Sequence, residues 1–196
     1  MGIIKIRASS TPGRMLCPSW GHTDNPHNPE SEPAQQGSAA HMGIEHYINS
    51  RNETGQGEIL DGKTAQLHFP LADPDETEIL TRMAKNMFYL ILERIEEAGE
   101  TIEKITTESG ASAILGDVDL KETGSTEEVI LTGTCDLLIK TNRSLYVYDW
   151  KFGRESGKTH FAQTASYGLL AANNYGIPSS GVVTVGEAHV RHGHFD

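Results

Sequence analysis

Between Glu128 and Gly153 the apolar residues fall into two runs, EVILTGTCDLLIK and LYVYDWKFG, separated by the polar Thr141-Asn142-Arg143-Ser144. Period-two alternation rich in Val, Ile, Leu and Tyr on both sides of a short polar break predicts a β-hairpin. With Asn142 and Arg143 as loop residues, Thr141 faces Ser144, Leu138 faces Val147 and Asp136 faces Asp149; a four-residue loop centred on the same point gives the same pairs. Alternation puts Asp149 and Lys151 on one face, with Tyr148, Trp150 and Phe152 on the other. Cys135 alternates away from Asp136 and is expected in the core.

Three helices surround this hairpin in the sequence. AQQGSAAHMGIEHYINSR, from Ala34, has Ala40, Ile44, Tyr47 and Ile48 at helical spacing. Asp73-Pro74-Asp75-Glu76 supplies a cap, a proline in the first turn and an acid three residues after the cap, so a helix is expected to Ala98, stopping at Gly99. Its predicted apolar stripe is Ile79, Met83, Met87, Leu90, Ile91 and Ile95. THFAQTASYGLLAANNYG predicts a third helix ending at Gly176, with His160, Gln163, Tyr167 and Leu170 three or four apart.

Between the helices, Ile102–Glu108 reads as a strand, Ala111–Leu120 as a second strand or an irregular connection, and residues 181–190 as a last strand after the break Ile177-Pro178-Ser179-Ser180. Residues 1–33 read as a short strand, Ile3–Arg7, followed by an irregular segment in which Arg14 and Leu16-Cys17-Pro18 could turn once. Residues 52–72 are expected to be a Gly-rich loop.

Composition narrows the class. A chain of 196 residues, 37% hydrophobic and 22% charged, suits one domain spanning residues 1–196 with a single substantial core. No apolar run has membrane-spanning length and MGIIKIRASS lacks a secretory layout, so a cytoplasmic protein with no membrane partner is expected. Two cysteines, Cys17 and Cys135, make neither a disulfide framework nor a four-cysteine metal site. The net charge of −11, from 27 acids against 16 Lys and Arg, is the wrong sign for gripping nucleic acid by a broad basic surface. Any such binding is expected to be salt-sensitive or helped by a partner.

The chemistry concentrates on the hairpin. Two carboxylates directly across a strand pair have Cβ atoms about 4.5–5.5 Å apart and repel unless something offsets them. A hard divalent cation does so, with water and phosphate oxygens completing its shell. Lys151 is then placed to orient a water or balance charge on a phosphate. A bare D-x-K tripeptide is more commonly a solvated strand face; the registered Asp136 opposite it is what adds weight. The basic loop Arg154–Lys158 is either a phosphate contact or a solvated turn. Other candidates read more simply: His41 and Glu45 as an ordinary helical pair, Gln163 and Tyr167 as a buried hydroxyl satisfied by an amide, Asp117 and Asp119 as surface acids. His189, His192 and His194 read as exposed.

In order, G-x-x-D (Gly133 to Asp136), D-x-K (Asp149 to Lys151) and Q-x-x-x-Y (Gln163 to Tyr167) resemble the RecB-like branch of the PD-(D/E)xK nuclease superfamily, which includes phage and CRISPR-associated exonucleases. GSAAHMGIE is similar to the upstream histidine helix of that branch, and ASSTPGRMLCPSW to the start of phage members. The resemblance implies an α/β, restriction-endonuclease-like fold: a central mixed β-sheet flanked by helices. It implies Mg²⁺ or Mn²⁺ on His41, Asp136, Asp149 and the main-chain carbonyl of Trp150, with Lys151 serving the water and Gln163 and Tyr167 positioning the substrate strand. Relatives with an iron-sulfur cluster use one upstream and three downstream cysteines; Cys17 resembles the first, but no cysteine follows Cys135, so no cluster is expected here.

The expected function is therefore a metal-dependent deoxyribonuclease, an exonuclease acting on single-stranded or duplex DNA ends in a phage or bacterial replication, recombination or defence system. A helicase or recombination protein is the expected partner. The second reading is a catalytically inactive nuclease-like fold that binds protein or nucleic acid.

Overall fold

The computed structural model describes residues 2–8, 31–120, 124–153, 161–176 and 181–196. Cys17, the Arg14 turn, the basic Arg154–Lys158 loop, His160 and the Ile177–Ser180 break lie outside the described residues. The described elements run β1 (Gly2–Arg7), α1 (Glu32–Thr54), α2 (Gly62–His68), α3 (Pro74–Glu97), β2 (Ile102–Leu120), β3 (Ser125–Thr141), β4 (Leu145–Lys151), α4 (Phe161–Tyr175), β5 (Val183–His189), a 3₁₀ turn (Val190–His192) and β6 (His194–Phe195). The strands form one mixed sheet, flanked by helices, as the resemblance implies.

The hairpin forms in the register its turn dictates. Leu137 pairs with Tyr148, Leu138 with Val147 and Ile139 with Tyr146, and the Thr141 amide donates to the Ser144 carbonyl at 3.0 Å. β2 is one long strand rather than a strand and a connection, running antiparallel to β3 from Ile102↔Thr141 to Leu120↔Ser125. β5 lies parallel to β4, with Asp149↔Glu187 and Lys151↔His189 as register partners.

One feature of this sheet governs the rest of the molecule. β2 occupies one edge of β3 along nearly its whole length, so β1 and β4 must share the other edge. The parallel β1 covers Glu127–Thr132 and the antiparallel β4 covers Leu137–Lys140. Between them, Gly133, Thr134, Cys135 and Asp136 face neither strand, and the G-x-x-D tetrad is this notch. Alternation also slips there: Leu131 and Cys135 pack under α4, whereas Leu137 and Ile139 pack under α1 and α3. Cys135 is buried, but on the α4 side, the face strict alternation from Leu137 would have denied it. Opposite Asp136 on β2, Glu108 has φ 46, the one positive φ among the described non-glycine residues, and the Glu108/Asp136 rung is missing from the ladder.

Helices cover both faces. On one side Ala40, Ile44, Tyr47 and Ile48 of α1 and Leu80, Phe88, Ile91 and Ile95 of α3 pack on Leu137, Ile139, Tyr148 and Trp150. α1 and α3 approach so closely that a Cβ on Gly43 would stand 2.1 Å from Thr81 Oγ1. On the other side Tyr167, Leu170 and Ala171 of α4 cover Leu138, Leu145 and Val147.

Several elements depart from the sequence expectation for identifiable reasons. α3 is capped as predicted, with Asp73 accepting from the Glu76 amide at 2.8 Å, but its buried stripe is Thr77, Leu80, Thr81, Ala84, Met87, Phe88, Ile91 and Ile95. Ile79 and Leu90, assigned to the core by hydrophobicity, are exposed, because the small Thr81 and Ala84 are what the close α1 crossing admits. Residues 52–72 are not all loop: α2 forms at Gly62–His68, capped by Asp61, and fits Ala65 against Ala39 and Ala72. His189 is buried rather than exposed.

Gly133 is where these layers converge. A Cβ there would meet Ala8 Cβ at 2.8 Å, Leu170 Cδ1 at 3.0 Å and Tyr167 Cε1 at 3.1 Å. Gly133→Ala is expected to destabilise the fold by about 1–3 kcal/mol, as overpacking does, and to displace the Tyr167 ring. A fall in melting temperature would show the first and a change in Tyr167 ring NMR shifts the second.

Candidate active site

The notch gathers polar groups that the sequence scatters over more than a hundred positions. The N–H of Trp150, which the next rung of the hairpin would give to the β3 main chain, instead donates to Asp136 Oδ2 at 2.7 Å. Asp136 thus replaces a backbone acceptor, and its carboxylate is held at the mouth of the notch. Its Oδ2 lies 3.5 Å from Nδ1 of His41, on the α1 face turned towards β4. The His41 ring stands edge-on to Phe152, with centroids 4.9 Å apart, and its imidazole also hydrogen-bonds the main chain of Trp150.

Asp149 is buried on β4, ion-paired with the Nζ of Lys151 two residues along the same face. Lys151 Nζ is also 3.8 Å from Glu187 Oε1 on the adjacent β5. From α4, Gln163 Nε2 donates to the Tyr167 hydroxyl at 2.9 Å. A groove of about 440 Å³, lined by Arg7, Gly110, Ala111, Thr132, Gly133, Thr134 and Tyr167, leads along the notch.

The electrostatics follow from this crowding. Burial, and then the Asp149 carboxylate, push the Asp136 carboxyl well above its ordinary range, the Trp150 hydrogen bond opposing them. Glu108 is raised too, by desolvation and by its neighbours Glu45 and Asp149. Burial holds the His41 imidazole down to about 4, against the pull of Asp149, so it is neutral near pH 7 with a lone pair available. Burial raises the Tyr167 hydroxyl, which stays protonated; since it accepts from Gln163, its own proton can go to an incoming acceptor.

These residues fit a divalent cation on their own evidence. One donor atom each from His41, Glu108 and Asp136 lies within 4.8 Å of the others. A neutral imidazole with carboxylates is a donor set for a divalent cation, and Asp136 and Asp149 carry a mutual repulsion that such a charge would relieve.

A family model for the PD-(D/E)XK nuclease superfamily matches residues 19–193. The chain belongs to that superfamily. No curated protein matches it as a relative. As a member, this nuclease-fold chain is of a metal-dependent, nucleic-acid-cleaving kind. None of its described helices is long and apolar enough to cross a membrane.

The residues that the resemblance implicates lie in this one region: His41 from α1, Asp136 from β3, Asp149, Trp150 and Lys151 from β4, Gln163 and Tyr167 from α4; the group of His41, Glu108 and Asp136 that could hold a metal does not include Asp149. Two groups escaped sequence reasoning. Glu108 was hidden because only the unpaired rung at its positive φ brings it to Asp136. Glu187, fully buried, had a visible signal: a lone acid in the apolar run VVTVGEAHV, on the side of the strand that carries Val183 and Val185 into the α4 core.

Proposed function

We propose that this superfamily member is a deoxyribonuclease of the RecB-like branch, hydrolysing phosphodiesters at the notch with Mg²⁺ or Mn²⁺. What supports this reading above all is the convergence of His41, Asp136, Asp149 and Lys151 on the unpaired edge of β3. His41, Asp136, Asp149 and the Trp150 carbonyl would hold the cation, with Glu108 within reach. When bound, it supplies a Lewis acid that polarises the phosphate and its attacking water.

The protein's own groups divide the remaining work. Asp149 keeps the Lys151 ammonium in place, where it orients water and balances charge gathering on the phosphate. The Tyr167 O–H, fixed by Gln163, donates to a phosphate oxygen in the groove beside Gly133. Trp150, buried beneath, fixes the main chain between the acid and the lysine. In this reading the unit comprises residues 1–196 and acts as an exonuclease on single-stranded or duplex DNA ends, in the cytoplasm of a bacterium or phage-infected cell. The net charge of −11 calls for a helicase or recombination protein to deliver the strand.

The same acidity favours a second reading, a nuclease-like fold that only binds. End-labelled single- and double-stranded DNA incubated with Mn²⁺, Mg²⁺ or EDTA separates the two. Metal-dependent degradation from an end is expected; intact substrate with folded, metal-saturated protein would sink the catalytic reading and leave the binding one.

A further inference from the structure

Beyond the notch, the turn that ends the described chain carries a second group of metal-ligating side chains. His189 closes β5, Gly193 turns the chain in the left-handed region at φ 65, and β6 returns antiparallel with His194 paired to His189. Two imidazoles therefore lie side by side, their rings nearly parallel at an 8° angle and 4.7 Å apart. Asp196 reaches both: its Oδ2 is 3.1 Å from His189 Nε2 and its Oδ1 is 3.7 Å from His194 Nε2. Glu187 Oε2 stands 3.3 Å from the same His189 nitrogen. Donor atoms of His189, His194 and Asp196 all fall within 4.8 Å of one another.

The independent sign of a ligand is His189 itself. It is 5% exposed, and its Nε2, aimed into this group, makes no hydrogen bond although two carboxylate oxygens surround it. A proton on Nε2 would be expected to settle on one of those oxygens in hydrogen-bond geometry. Nitrogen and oxygen donors that converge without hydrogen-bond geometry are instead the arrangement of ligands around a cation.

We propose that His189, His194 and Asp196, with Glu187 beside His189, form a zinc site separate from the nuclease cation. Two imidazoles with a carboxylate in a compact group suit Zn²⁺, which favours nitrogen donors and tetrahedral order, whereas the first site offers one imidazole among carboxylates. The ion ties β6 to β5 and so clamps the end of the sheet next to Lys151. Neighbouring contacts hold the same turn: Arg191 Nε donates to the Phe152 carbonyl at 2.7 Å and its Nη2 pairs with Glu76 Oε1 at 2.6 Å.

The test uses full-length protein and Zn²⁺ alone, with binding read by competition against a chromophoric chelator, retained metal by elemental analysis and stability by thermal melting. One tight equivalent is expected, raising the melting temperature. His194→Ala and, separately, Asp196→Asn should weaken it roughly 100-fold or more, as loss of a ligand does. Both positions are partly exposed, and far-UV circular dichroism checks that each variant is folded. Asp136→Asn should retain the equivalent. Absence of a tight equivalent in the wild type, its persistence in folded His194→Ala and Asp196→Asn, or its loss in Asp136→Asn would each overturn the proposal. The last outcome would assign the ion to the nuclease site.

Discussion

Lys151→Ala is expected to abolish metal-dependent DNA cleavage, lowering the rate by about 10³-fold or more, the scale for removing a charge that stabilises a transition state. The variant should still be stabilised by Mn²⁺. The reason is geometric: Lys151 pairs with Asp149 and Glu187 but contributes no donor to the cation, whereas the His41, Glu108 and Asp136 group remains intact. Single-turnover cleavage and a melting curve with and without Mn²⁺ make the comparison. Equal losses of cleavage and of metal-dependent stabilisation would show that Lys151 acts by organising the site and not on the substrate.

Asp136→Asn should produce opposite effects on stability and activity. Asp136 is raised well above the ordinary carboxyl range by burial and by Asp149. A carboxyl raised on folding binds its proton more tightly folded than unfolded, so it stabilises the fold at low pH and loses that contribution as pH rises past the unfolded value towards the folded one. At neutral pH, without metal, holding the buried Asp136 carboxyl beside Asp149 is a cost. Asparagine removes the charge and can still accept from the Trp150 N–H. The metal-free variant should therefore melt higher, by about 2–4 °C for each kcal/mol relieved in a chain of this size. The wild type should gain stability on adding Mn²⁺ as any folded-state ligand requires; the variant should gain little, and its cleavage should fall to background. A metal-free variant less stable than the wild type would mean that the Trp150 hydrogen bond outweighs the repulsion.

What was legible beforehand follows from which interactions are local. The hairpin could be read to the residue because one turn, Asn142-Arg143, fixes every pair out to Leu137 and Tyr148. The α3 cap was legible because Asp73 and Glu76 sit three residues apart. The stripe of α3 was not, because the partner that admits Thr81 and Ala84 in place of Ile79 is Gly43, nearly forty positions away. In the site, Asp136, Asp149 and Lys151 were visible as charges inside apolar strands. Glu108 and the slip of alternation at Asp136 were not, because both arise from an unpaired rung that no local pattern announces. The burial of His189 is not legible locally, because histidines near a chain end are usually solvated, whereas β6 folds back over this one.

The divided edge of β3 has a consequence for how the molecule comes into being. The notch exists only when β1 has joined β3, and that pairing matches Ile4 with Val129, while β4, the other flank, is in turn covered by β5, which matches Asp149 with Glu187. Contacts so far apart in sequence carry a large closure entropy and form slowly. During synthesis from the N-terminus, the hairpin and its acids emerge well before β5 can close beside them. A growing chain therefore holds the ingredients of a nucleic-acid-cutting centre without its walls, and the assembled centre appears only after β1 and β5 have found the same sheet.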